Sequence, residues 1–199
     1  MVSPANRGRL LADAIRYALG SLDYVQPCFL SRPTPCAAWD LAVLLQHVND
    51  SLAALHEGIA TGQVSLGPPA EAAGDRAGGL VATCRARAGQ LLAASATSSP
   101  ERGIAIADRR LTTSDVTAVG AVEVAVHGWD VAQACGSRQP IPPALATGIL
   151  EIVPLVATSA TRELCFAAPV TVSPLASPGD LLIALLGRDP QRRIAAQTR

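Results

Sequence analysis

Apolar side chains recur along this chain at spacings of three and four in four successive stretches, the period of a helix with one buried face. Ser3 and Pro4 stand where a cap and a first-turn proline belong, and Leu11, Ile15, Ala18 and Leu22 form the stripe of a first helix. Two prolines in SRPTPCAAWD hold the chain extended until Asp40, which caps a second helix running to Ile59 with Leu41, Leu44, Leu45, Val48, Leu52 and Leu55 on one side. TGQVSLGPPAEAAGD reads as a loop, and Val81, Cys84, Ala88, Leu91 and Leu92 mark a third helix ending near Ser95. The connection SSPERGIAIADRRLTT reads as irregular, its apolar piece Ile104 to Ala107 leading into a solvated edge at Asp108, Arg109 and Arg110. A capping serine or threonine near Ser114 opens a fourth helix through Cys135, where Gly136 supplies a left-handed stop.

Four such helices bury their stripes most simply as a bundle, so the chain is expected to be mainly α, with residues 1–137 forming the bundle. Over 138–199 the pattern changes. A fifth helix opens at Pro142 and Pro143 and is disturbed by Pro154, APVTVSP looks extended, and Ser177 and Pro178 start a short last helix that Gly187 stops. This C-terminal extension is expected to dock on the bundle.

Composition narrows the chemistry. The 199 residues are 49% hydrophobic, and sixteen acidic side chains balance sixteen basic ones, which indicates a folded domain without an electrostatic grip on nucleic acid. Every basic residue is arginine, so Schiff-base, P-loop and kinase-type lysines are excluded. Six aromatics (Tyr17, Tyr24, Phe29, Trp39, Trp129, Phe166) are too few for base-stacking platforms, and Trp39 and Trp129 are read first as packing groups. Five cysteines without a CxxC pair suggest neither a disulfide framework nor a zinc knuckle, and Cys36 and Cys135 read as small buried apolar groups. With no signal-peptide core and no uninterrupted apolar span, a cytoplasmic protein without a membrane segment is expected, as monomer or homodimer.

The fourth helix carries the candidate chemistry. On a wheel of about 100° per residue, Val116, Val119, Glu123, His127, Asp130 and Ala134 share one face, which places a carboxylate and an imidazole beside the stripe that enters the core. A buried carboxylate needs a positive partner, and the candidates are a metal ion or an arginine such as Arg16 or Arg85. Glu at i and His at i+4 reach one ion from adjacent turns, and a histidine on the second helix completes a set with an open coordination position. His47 and His56 lie about 180° apart on that helix, so periodicity permits either. Asp130 reads as a surface cap, a salt-bridge partner or an acceptor that orients His127.

PTPCAAWDLAVLLQHVND, EVAVHGWDVAQACG and LLIALLGRDP, in that order, resemble the motifs of actinobacterial metal-binding proteins related to mycothiol-dependent maleylpyruvate isomerase, within the DinB-like superfamily. The resemblance spans nearly the whole chain. It implies a DinB-like four-helix bundle with a C-terminal region, and metal ligation by His47, Glu123 and His127, which selects His47 over His56. It further implies a divalent metal, zinc first and nickel or iron as alternatives, with mycothiol as cofactor. The best-known relative adds that thiol to an activated double bond, lets the adduct rotate and eliminates the thiol. The resulting expectation is a metal-dependent isomerase or thiol transferase acting on a small electrophilic metabolite. A thiol-independent isomerase, cyclase or lyase, and a non-catalytic small-molecule or metal binder, are the alternatives. Arg188 in the last motif is expected either to pair with Asp180 or Asp189 or to meet an anionic substrate or cofactor.

Overall fold

Near the amino terminus Pro4 opens α1 (Pro4–Ser21), although the Ser3 side chain makes no capping bond. The computed structural model describes residues 3–36, 39–65, 76–158, 161–162 and 165–192. Asp40 caps α2 (Leu41–Thr61) by accepting from the Val43 amide at 2.9 Å. α3 (Arg76–Thr97) follows, and α4 (Thr113–Ala134) starts at a capping box in which Thr112 and Asp115 exchange side-chain and backbone bonds. The cap is thus Thr112, a threonine near Ser114 as expected. Gly136 is left-handed with φ +78°, as the stop of this helix requires.

The four helices pack as the expected bundle. α1 lies along α4, and α2 packs on both α3 and α4. α4 is buried on nearly every side, which explains why its polar residues His127 and Asp130 lie in the interior, with the half-buried Glu123 one turn before His127. Close contact of α1 with α4 depends on Gly128, where a Cβ would stand 2.9 Å from the Ala18 backbone. Leu11, Ile15, Leu44, Leu45, Leu91 and Ala125 are among the fully buried core residues.

One expectation is corrected. The connections before and after α3 contain strands, β1 (Gln63–Val64), β2 (Gly103–Ile106) and β3 (Arg109–Thr112), joined as one sheet in the order β1-β2-β3. β1 pairs parallel to β2 through Gln63 with Ala105, and β2 runs antiparallel to β3 through Ile106 with Arg109. Ile104 turns inward and is fully buried, while Arg109 and Arg110 face solvent as expected. The rest of the first loop, 66–75, lies outside the described residues. APVTVSP at 168–174 joins no sheet, and the Val170 amide donates to the Ala184 carbonyl at 2.9 Å.

The extension comprises α5 (Pro143–Val156), with Pro154 inside its last turn, and α6 (Pro178–Leu185), capped by Ser177. α5 packs on α6, α4 and α1, and the Tyr17 hydroxyl donates to the Gln139 carbonyl at 2.9 Å. Among the described residues no helix is long and apolar enough to cross a membrane.

Candidate metal centre

α2 and α4 face each other where His47 meets Glu123. His47 Nε2 donates to Glu123 Oε1 at 2.7 Å, and the same oxygen accepts from Ser51 Oγ at 2.9 Å and lies 3.3 Å from His127 Nε2. One ligand atom each from His47, Glu123 and His127 falls within 4.8 Å of the others. The two imidazole rings meet edge to face with centroids 4.9 Å apart, and Trp39 tilts over His47 at 4.7 Å and over His127 at 6.2 Å. His56, the other histidine of α2, joins no such cluster among the described residues. Glu123 does not pair with the arginines considered for it, since Arg16 bonds Asp13 and Arg85 bonds Asp23.

Behind His127 lies a second layer. Its Nδ1 is 2.9 Å from Asp130 Oδ2, and because an ionised carboxylate only accepts, a ring proton sits on Nδ1, while Nε2 is directed toward Glu123. Asp130 is fully buried and takes Arg188 in a fork, with Nε at 2.9 Å from Oδ1 and Nη2 at 2.8 Å from Oδ2. Arg188 therefore pairs with neither Asp180 nor Asp189: its guanidinium closes on a carboxylate of the protein's own interior. Gly187 makes this approach possible. Its φ is +81°, a Cβ there would stand 2.6 Å from the Ala167 carbonyl oxygen, and the Arg188 amide then returns to the Ile183 carbonyl at 3.0 Å.

Two residues of this site escaped the sequence reading. Cys36 is not an inert core thiol: it is half-buried, with Sγ 3.3 Å from Asp130 Oδ2, 3.2 Å from Arg188 Nη2 and 3.8 Å from His127 Nδ1. The Thr34 hydroxyl holds its loop by bonding the carbonyls of Cys36 and Trp39 at 3.1 and 3.0 Å. Ser51, one helical turn after His47, was legible on the wheel as a neighbour of that histidine. No such signal marked Cys36.

The electrostatics favour a cation. Burial pulls Glu123 up and His127 down, yet their contacts win. Hydrogen bonds from His127 and His47 hold Glu123 well below the ordinary carboxyl value, and bonds to Asp130, Cys36 and Glu123 hold His127 well above 6.5. Asp130 is likewise raised by burial but brought below 3.8 by its bonds to His127 and Arg188. With neutral imidazoles the cluster carries two carboxylates against one guanidinium, a net charge of −1. The field that keeps a proton on His127 would equally favour a metal ion there. Two imidazoles and a carboxylate are also a donor set that zinc accepts, with room for a fourth ligand. The residues present fit such an ion.

A family model described as the mycothiol maleylpyruvate isomerase N-terminal domain matches residues 10–132. The chain belongs to that family. The match contains His47, Glu123, His127 and Asp130 and ends before Arg188. Among solved structures the chain is similar to the crystal structure of a mycothiol-dependent maleylpyruvate isomerase, with a TM-score of 0.61 and 16% identity over 96% of this chain and 82% of that one. A histidine-to-alanine mutant of a mycothiol-dependent maleylpyruvate isomerase superposes with a TM-score of 0.55 and 14% identity over the same shares. At these identities the likeness is one of fold, and it places the bundle and its extension in the DinB-like architecture of the mycothiol maleylpyruvate isomerase family. No curated protein matches the sequence.

Proposed function

We propose that the protein is a thiol-dependent isomerase or transferase that acts on a small electrophile at a divalent ion, zinc first, held by His47, Glu123 and His127. The observation that carries this reading is the convergence of those three side chains from α2 and α4, inside the segment that matches the family. A divalent ion in this set lowers the pKa of a thiol or water beside it and so makes a nucleophile at neutral pH.

The chain's own residues do the rest. Asp130 fixes the proton on Nδ1 of His127 and keeps Nε2 basic, while Arg188 keeps the Asp130 carboxylate ionised and Cys36 bonds it in place. Ser51 pins Glu123 Oε1 from the α2 side. Trp39 covers both imidazoles and limits water on that side. Mycothiol is the thiol that family membership favours, and five free cysteines suit a reducing, cytoplasmic setting. Residues 1–137 are taken as the metal-holding unit and 138–199 as an extension that contributes Arg188 to it.

The test uses protein purified without a histidine tag. Elemental analysis should find about one metal per chain in the wild type and little in His127→Ala, and the loaded protein with mycothiol and a panel of enones or ene-dioates should form thiol adducts or geometric isomers. A wild type that binds no metal, or a loaded protein inert toward the whole panel, overturns the proposal.

A further inference from the structure

Next to Glu123, α2, α4 and the small sheet enclose a cavity of about 260 Å³ that opens to the surface beside the half-exposed Val119. Leu55 lines it from α2 and Val116 and Val119 from α4, and each strand adds one aliphatic side chain, Val64, Ile106 and Leu111. Among the described residues its polar lining is limited to Ser51 and Glu123, which bond each other at 2.9 Å. The cavity therefore adjoins a candidate metal ligand at one wall and offers hydrocarbon elsewhere.

Among the described residues of the cavity wall, a dicarboxylate such as maleylpyruvate finds no basic side chain for its second carboxylate. No basic side chain lines the cavity among the described residues, and all of its lining but Ser51 and Glu123 is apolar. Desolvating a carboxylate against aliphatic side chains disfavours binding. An apolar cavity of about 150 Å³ is enough to take benzene, so this one accommodates a ring with a short chain or an alkyl chain of several carbons.

We infer that this cavity takes the hydrocarbon arm of the substrate, and that the electrophile is an alkyl- or aryl-substituted molecule without charge on that arm. The inference rests on the proposed reading of His47, Glu123 and His127 as the reactive centre. It deepens that reading by naming the substrate class. It also gives the β1-β2-β3 sheet a role, since one wall of the cavity is made by its three strands.

The test is calorimetric binding of unbranched methyl ketones, from 2-butanone to 2-octanone, and of maleate, to the metal-free and the zinc-loaded full chain. Affinity should rise about three- to fourfold per added methylene until the cavity is filled. Maleate should bind the metal-free protein more weakly than 2-octanone. Val119→Phe, which sets a ring at the mouth, should abolish the chain-length increment while the melting temperature holds. Should that variant not fold, Leu111→Arg replaces it and should give maleate a gain of at least tenfold while weakening 2-octanone. An affinity flat with chain length, an increment untouched by both variants, or maleate binding more tightly than 2-octanone in the metal-free wild type overturns the inference. Zinc content measured on the same samples separates the two failures: zinc without ketone binding sinks only the substrate class, and ketone binding without zinc sinks the metal reading.

Discussion

Asp130 Oδ2 lies 2.9 Å from His127 Nδ1 and takes Arg188 Nη2 at 2.8 Å, so one buried oxygen links an imidazole of the bundle to an arginine of the extension, 58 residues later. The Asp130 side chain is wholly buried, and that of Arg188 is 11% exposed.

Removing the arginine leaves an uncompensated buried carboxylate. Arg188→Ala should therefore cost about 3–5 kcal/mol of stability, read by urea denaturation, and lower zinc affinity about 10–100-fold in a competition titration because His127 loses its orienting partner. Arg188→Lys should recover only part of both, since an ammonium cannot reproduce the fork on Asp130.

The pH dependence follows from the two shifted groups. His127 is raised well above 6.5 in the folded chain, so its contribution to the metal-free protein is complete below about pH 6.5 and is lost as the pH rises through its folded value. Glu123 is held well below 4.5, so its contribution is complete above about pH 4.5 and is lost as the pH falls through its folded value. The melting temperature of metal-free protein should thus decline on the alkaline side. Zinc replaces the proton on His127, so its affinity should rise by up to about tenfold per pH unit wherever that proton must be displaced. Equal zinc affinity across that range would contradict the assignment.

Gly187 should tolerate no side chain. Alanine there must adopt a left-handed backbone, about 1–2 kcal/mol, and also displace the Ala167 carbonyl that lies 2.6 Å from the Cβ position. Gly187→Ala should destabilise the chain by more than the backbone cost alone and weaken zinc binding in parallel, because Arg188 follows directly. Denaturation and zinc titration on the same variant check both.

The bundle was legible because a helix writes its buried face into its own segment: the stripe of Leu41, Leu44, Leu45 and Val48 is local, and so is the Asp40 cap. The sheet was not, since Gln63 pairs with Ala105 across the whole of α3 and neither two- nor four-residue strands carry a period of their own. The same distinction divides the site. Glu123, His127 and Asp130 share one face of one helix and could be found by spacing. Cys36 reaches His127 across 91 residues from an irregular loop, so only the folded chain brings its thiol to Asp130 and Arg188. Arg188 was noticed, but its partner lay on another element, and the nearer acids Asp180 and Asp189 were misleading.

Glu123→Gln tests the charge of the cluster apart from its shape. The amide keeps the size of the side chain and can still accept from Ser51 and His47, so the stability change should remain below about 2 kcal/mol. The net charge, however, goes from −1 to zero when both imidazoles are neutral. Zinc affinity should fall by at least a hundredfold, and the His127 imidazole, deprived of an ionic acceptor at 3.3 Å, should titrate at lower pH than in the wild type. Proton NMR of the metal-free variant reads the second effect independently of metal. A variant that binds zinc as tightly as the wild type would show that Glu123 is not a ligand.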